Sequence, residues 1–320
     1  MHFSSETKLW ELEATFPAMK GQFISGGDFF TGSNAEKTLA QLHCEQPTWA
    51  LEDMLYGLEN LRRVSDSKVR LVWPLPYASL VYLPAAKKQH TAFAVLAAGG
   101  AYGAVCTMVE AMPVAARLNA LGFDCFCLNY RTAVPESFVS GLMPQPLDDL
   151  ADALRLIAEN RTVFDVDPMQ YLLFGFSAGG HLASLWGTCA LGARHYGIPQ
   201  PLLLALAYPL ISMAQYPASP VRDYLCKGLF GSDYSSEQLN RYDAGKNMDA
   251  GYPKTFLVRA LDDSTVPPDN AAEFLRALSC YQTPCRLRQA EAGAHGFGLG
   301  SRTPLSGWVD DAVLFWEEST

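Results

Sequence analysis

The 320-residue sequence predicts an α/β fold, a mainly parallel central sheet covered by helices on both faces. Two observations predict it. Strand-length runs recur at residues 92–97, 124–128, 171–174, 201–208, 255–260 and 285–290, and segments of helical spacing separate several of them. Parallel neighbours need such crossovers, whereas a hairpin sheet would show tight turns between its runs. Polar or glycine-rich clusters follow several of the runs directly, which places their side chains along one edge of the sheet.

The first 68 residues carry no recognisable chemistry. Residues 16–30 read as a glycine-punctuated loop or irregular strand, and residues 47–64 place Trp49, Leu51, Met54, Leu55, Leu58 and Leu61 at helical spacing. No linker of Pro, Ser or charge follows, so residues 1–68 read as an extension packed on a main domain at 69–320. That domain opens with short strands at 69–73, 80–83 and 92–97. The turn Ala98-Gly99-Gly100-Ala101-Tyr102-Gly103 comes next; it lets backbone approach a ligand and present N–H groups, and it lacks the spacing of a phosphate loop. A helix at 109–121 leads to strand 124–128 and the cluster Asn129-Tyr130-Arg131. Leu147, Leu150, Leu154, Ile157 and Ala158 then form one helix face, with Asp148, Asp149, Asp152 and Arg155 on a solvated one. After the strand at 201–208, residues 210–252 break the rhythm with prolines, glycines and a polar helix near 235–242. They read either as a lid over the carboxyl ends of the strands or as a surface excursion. Strand 255–260, helix 269–280, strand 285–290 and an amphipathic helix at 306–316 complete the chain.

Composition excludes several functions. Hydrophobic residues are 49% and charged ones 18%, an ordinary globular balance. A net charge of -9 speaks against nucleic acid and anionic membrane as partners, because phosphate binding needs a basic face. The eight cysteines are scattered, mostly in apolar segments and without a CxxC pair, and read as buried free thiols in a reducing compartment. Residues 1–20 hold no apolar core of signal-peptide length, so a cytoplasmic protein is expected. The uncharged stretch 91–109 is long enough to span a bilayer. Its Gly99, Gly100 and Gly103 fit a strand and loop better. No metal-ligand spacing such as H-E-x-x-H occurs, and neither metal nor cofactor is expected.

The chemistry gathers around residues 171–184, YLLFGFSAGGHLAS, which reads as strand, G-x-S-x-G, helix. Side chains at Gly175 or Gly179 would collide with neighbouring backbone, and the tight turn lifts the hydroxyl of Ser177 off the sheet edge. The helix start behind it offers unpaired N–H groups and the positive end of a dipole. Read alone, the motif is equally a glycine-rich turn with a structural serine. A serine hydroxyl attacks only when a base takes its proton, and an imidazole serves as that base when an acid orients it. An acid follows the strand at 255–260, either Asp262 or Asp263. His295 follows the last strand, and it alone of the six histidines lies in a post-strand loop beyond the acid. The order Ser, Asp, His is that of α/β-hydrolases.

Residues 98–102, Leu128-Asn129-Tyr130-Arg131, residues 175–181, residues 263–267 and His295-Gly296 together resemble the acetyl-xylan-esterase-like and lipase-like serine esterases of the α/β-hydrolase superfamily. The resemblance spans about residues 69–320 and leaves the extension unexplained. It implies an α/β-hydrolase fold, no cofactor, and hydrolysis of a small carboxylic ester with a short acyl group, acetylated carbohydrate being one such substrate. It implies Ser177 as nucleophile, His295 as base and Asp263 as the acid, because the family's acid stands three residues before Val266-Pro267. The oxyanion would be held by the N–H groups of Gly100, Ala101 and Ala178. Where relatives read His-Gly-Gly-Gly or Pro-Gly-Gly-Gly-Tyr, this chain has Ala98 first and Ala101 at the third glycine, and an alanine still donates its N–H. Tyr102, Tyr130, Arg131 and His181 adjoin the site in sequence and are candidates for the pocket wall, or for packing. Two other readings share the fold: a peptidase or amidase on the same residues, and a catalytically silent binding protein.

Overall fold

The computed structural model describes residues 2–26 and 32–318, so the end of the irregular segment predicted at 16–30 lies outside the described residues. Eight strands form one sheet: β1 Val72–Pro74, β2 Ser79–Leu83, β3 Phe93–Ala97, β4 Asp124–Asn129, β5 Tyr171–Phe176, β6 Leu203–Ala207, β7 Thr255–Ala260 and β8 Cys285–Ala290. Their spatial order is β1-β2-β4-β3-β5-β6-β7-β8. β1 and β2 pair antiparallel, β2 meets β4 antiparallel, and every later pair is parallel. The chain thus has the α/β-hydrolase fold that the resemblance implied. β3, β4, β5 and β6 are buried along their whole length, as expected of strands covered on both faces. β8 closes the sheet with alternating exposure, and its Arg286 and Arg288 pair with Glu318 and Asp311.

Differences from the sequence reading have local causes. The helix expected at 47–64 runs Leu51–Asp66, and Lys68 turns the chain at φ 60, so the first strand starts at Val72 rather than 69. The helix expected at 109–121 begins as a π-type turn, Thr107–Ala111, before the α-helix Met112–Ala120. The interval 210–252 holds a second helix, Pro220–Phe230, whose entry Pro220 and Ser219 cap make it a good helix start where the prolines had been read as breaks. Asp149 does not lie on a solvated face: it is buried against Arg131. Four of the cysteines, Cys44, Cys189, Cys280 and Cys285, are exposed rather than buried, and all eight are free. Residues 91–109 divide into β3, the glycine turn and the π-type turn. Among the described residues no helix is long and apolar enough to cross a membrane.

Among the described residues, the first 68 touch the main sheet assembly at several places. Ser25 and Val105 exchange backbone hydrogen bonds of 3.1 and 2.7 Å, and the Met108 N–H reaches the Phe23 carbonyl at 2.7 Å. Helix Leu51–Asp66 lies on helix Met112–Ala120, so close that a Cβ on Gly57 would stand 3.0 Å from the Pro113 nitrogen. Its first turn meets the segment after His295: Glu52 pairs with Arg302, and Asp53 accepts the Ser301 N–H at 3.5 Å. Leu58, Leu61 and Val64 are fully enclosed in that contact. Leu58→Ala should therefore cost about 2–5 kcal/mol in denaturant unfolding, the range for a large-to-small change in a closed core. A loss below about 1 kcal/mol would show this helix to be a detachable appendage.

Candidate active site

β5 ends at Phe176, and helix Ser177–Trp186 starts at the next residue. The reversal is sharp: Ser177 has φ 49, a left-handed conformation that an L-residue adopts only under constraint. A Cβ on Gly179 would lie 2.0 Å from the Ala97 carbonyl oxygen, so only glycine lets the helix start press against the end of β3. Gly175 is equally crowded, 2.5 Å from the Gly179 carbonyl. The serine hydroxyl consequently stands clear of the strand, where His295 Nε2 lies 2.8 Å from its oxygen. On the other side of the ring, His295 Nδ1 is 2.7 Å from Asp263 Oδ2.

Asp263 is buried, and its second oxygen accepts the N–H groups of Thr265 and Val266 at 2.9 and 2.8 Å. A carboxylate held by three donors keeps one orientation and stays a good acceptor. Asp262 does different work: its exposed carboxylate accepts the Ala294 N–H at 2.7 Å and the Gly293 N–H at 3.3 Å. The two adjacent acids thus divide the histidine loop between them, one holding the imidazole and the other the backbone. Tyr208, at the end of β6 with φ 38, sets its ring edgewise to the imidazole at a centroid distance of 5.0 Å.

Facing Ser177 is the turn after β3. Gly99 gives its N–H to the buried carboxylate of Glu110, and Gly103 and Ala104 give theirs to the Gly100 carbonyl. Among the described residues the N–H groups of Gly100 and Ala101 have no acceptor in the chain. Ala101 and Tyr102 sit at φ 54 and 57, so the alanine departing from the glycine pattern keeps the left-handed backbone that glycine would take easily. Ala178 is the second residue of the helix, and its N–H has no intrahelical partner. These three donors stand at the same edge as the serine hydroxyl.

The expected pocket residues separate. Tyr130 is buried and donates its hydroxyl to the Ala98 carbonyl at 2.6 Å, so it supports the turn from beneath. His181 has no exposed surface; its Nε2–H reaches the Tyr242 carbonyl at 2.8 Å and its Nδ1 accepts the Tyr102 hydroxyl at 2.8 Å. Arg131 is committed to Asp149 and to the Gln145 carbonyl. These three are packing and tethering groups rather than wall residues, because adjacency in sequence does not decide which side of a helix or strand faces the cleft. Tyr102 does reach a cavity of about 340 Å³, together with Ala101, Gly103, Phe138, Tyr224 and Leu229. Its far wall is helix Pro220–Phe230 from the 210–252 interval. Sequence reasoning missed Glu110, Tyr208 and the helix that forms this wall. Among the described residues no cluster of His, Cys, Asp and Glu has metal-binding geometry.

Comparison with known proteins agrees with this fold. A family model described as Prolyl oligopeptidase family matches residues 142–319, and one described as BD-FAE matches residues 80–194. The chain is 28% identical over 225 residues to endo-1,4-beta-xylanase B of Butyrivibrio fibrisolvens, covering 66% of this chain and 33% of that protein. It is 27% identical over 207 residues to an acetylxylan esterase of Xylanibacter ruminicola, covering 63% of this chain and 40% of that protein. It therefore spans a third to two fifths of the curated relatives it matches. Among solved structures it resembles an acetyl ester-xyloside bifunctional hydrolase from Caldicellulosiruptor lactoaceticus. The TM-score is 0.63 at 29% identity, with 76% of this chain and 89% of that chain covered.

The enclosure of His181 has a measurable effect. Burial lowers its pKa from 6.5 to about 4, against the raising effect of the Tyr242 carbonyl. The unfolded chain therefore binds a proton below 6.5 that the folded one refuses until about 4. Stability from this residue is complete above that window and falls as pH drops through it. Between pH 7 and 5 the native chain should lose about 2 kcal/mol more than His181→Gln, by the linkage of pKa to stability. Parallel pH–stability curves for the two proteins would contradict the neutral, tethered imidazole.

Proposed function

The chain belongs to the prolyl oligopeptidase family, and from that premise we propose that it is a serine esterase that cleaves a short-acyl carboxylic ester through an acyl-enzyme. The observation that carries the reading is the continuous line Ser177 Oγ, His295 Nε2, His295 Nδ1, Asp263 Oδ2, with gaps of 2.8 and 2.7 Å. In the first half-reaction Ser177 Oγ attacks the ester carbonyl carbon as its proton passes to His295 Nε2, and Asp263 offsets the imidazolium charge. The carbonyl oxygen, now an oxyanion, meets the N–H groups of Gly100, Ala101 and Ala178. Collapse breaks the bond to the alcohol oxygen, which takes the proton from His295. Water then attacks the acyl-serine by the same route in reverse and releases the acid.

The names of the relatives support acetyl groups as the acyl part and xylan-derived alcohols as the other part. The cavity beside Ala101, with Phe138 and Tyr224 on its wall, offers aromatic faces of the kind that pack against sugar rings or aryl groups. We read residues 69–320 as one catalytic unit, residues 1–68 as its buttress, and residues 210–252 as a cover that shapes the cavity. The family model favours a second reading, cleavage of an aminoacyl amide by the same residues. A panel of short acyl esters set against aminoacyl p-nitroanilides separates the two by kcat/KM.

Ser177→Ala should abolish p-nitrophenyl acetate hydrolysis, a fall of about 10⁶ in kcat by comparison with other serine enzymes, with its circular dichroism unchanged. Retained turnover in that variant removes Ser177 from the mechanism. Asp263→Asn should lose roughly 10³–10⁴ in kcat, because the imidazole loses its fixed tautomer. Asp262→Asn should lose far less, about tenfold or under, since it anchors only backbone. A fluorophosphonate probe should label the native chain at Ser177; absence of label would favour a silent binding protein.

A further inference from the structure

Glu110 is a carboxyl group almost without solvent, 4% exposed, on the π-type turn Thr107–Ala111. Turns of this kind widen a helix by one residue and recur at functional positions. Its Oε2 accepts the Gly99 N–H at 2.5 Å, and its Oε1 accepts the Tyr208 hydroxyl at 3.0 Å. The Tyr208 oxygen accepts the Gly298 N–H at 3.0 Å. An N–H can only donate, so the direction runs from Gly298 to Tyr208 to Glu110, and Gly99 points at the same carboxylate from the opposite side. Two donors converging on one buried group suit its ionised form.

Packing ties the same pieces together. A Cβ on Gly99 would stand 2.7 Å from Ser177 Cβ and 3.0 Å from Glu110 Oε2. A Cβ on Gly298 would stand 2.8 Å from the Val109 carbonyl oxygen, so the loop that carries His295 rests on the turn that carries Glu110. Burial pushes the Glu110 carboxyl up, while its two hydrogen bonds and the charge of His295 pull it back. Cys106, Tyr130 and Tyr208, which also face it, are held neutral by burial. Asp263 lies beyond the imidazole, on Nδ1. The group facing Glu110 that takes up a charge during the proposed reaction is therefore the histidine.

We propose that Glu110 is a positioning residue for ester hydrolysis: its carboxylate locks the oxyanion turn and the histidine loop into one register over Ser177, and its charge favours the imidazolium formed at His295. The inference rests on the reading of Ser177, Asp263 and His295 as the reacting groups.

The test is p-nitrophenyl acetate hydrolysis across pH by the native protein, Glu110→Gln and Glu110→Asp, each checked for a native melting transition. Glu110→Gln should lose about tenfold or more in kcat with KM within about twofold, since it alters positioning rather than substrate contact. The acid limb of its kcat/KM profile should move down by roughly half a pH unit, because a missing negative charge makes the imidazolium less favourable. Glu110→Asp, which keeps the charge, should lose kcat and leave that limb in place. An unchanged kcat or an unmoved acid limb in Glu110→Gln overturns the proposal. Should Glu110→Gln fail to fold, the decision passes to Tyr208→Phe, which keeps the carboxylate and removes only its link to Gly298. A loss of about fivefold in kcat, with slower fluorophosphonate labelling, supports the clamp, and unchanged kcat overturns it. A native protein that neither hydrolyses ester nor takes the probe would instead sink the reading of the reacting groups, and the clamp with it.

Discussion

The left-handed backbone at Ser177 is the constraint to which the whole rim of the sheet answers. It costs on the order of 1 kcal/mol for a residue with a Cβ. The turn holds because β5 is fixed between β3 and β6, because the Leu210 N–H grips the Ser177 carbonyl at 3.0 Å, and because Gly179 lets the helix close onto Ala97. The strain is not isolated. Of the eight non-glycine residues with positive φ among those described, Ala101, Tyr102, Ser177, Tyr208 and Ala294 all belong to this rim. The other three, Lys68, Asp165 and Gln282, follow helix ends, where left-handed residues are ordinary. Strain concentrated in this way marks where the fold spends stability on geometry.

The reading of the sequence succeeded where local pattern and position in a strand coincide. Ser177, Asp263 and His295 each follow a strand directly, and parallel strands carry whatever follows them to a common edge, so their meeting was legible before any coordinates. Residue type alone leaves Asp262 and Asp263 open; the resemblance, through Val266-Pro267, implies Asp263, and the carboxylate that leaves the backbone toward the imidazole is that of Asp263. For Tyr130 and His181 the sequence leaves pocket wall and packing equally open, and the structure puts both in the packing. His181 stands four residues past Ser177, nearly the same side of the helix, yet its ring turns inward because the Tyr242 carbonyl and the Tyr102 hydroxyl hold both its nitrogens. Glu110 carried no local signal at all: its partners are 11 and 98 residues away, and burial of a carboxyl is invisible in a string of letters.

The parts with the least recognisable sequence have structural work to do. The extension supplies Ser25 and Phe23 to the segment that follows the glycine turn after β3, and Glu52 and Asp53 to the segment beyond His295. Its helix also closes the core over Met112–Ala120. The 210–252 interval supplies the far wall of the cavity, and the Tyr242 carbonyl fastens it to His181 on helix Ser177–Trp186. Chemistry on a common scaffold is fixed by the sheet, while the shape around it comes from such additions.

The last strand of the sheet bears on the behaviour of the molecule in company. An open strand edge presents unpaired N–H and C=O groups that another chain can extend. β8 meets this hazard with guanidinium groups at alternate positions, Arg288 anchored by Asp311 of helix Trp308–Glu317 and Arg286 by Glu318 just past its end. Both ion pairs pull the outermost strand toward the closing segment of the chain, so the free margin of the sheet is clasped from one face instead of hanging loose.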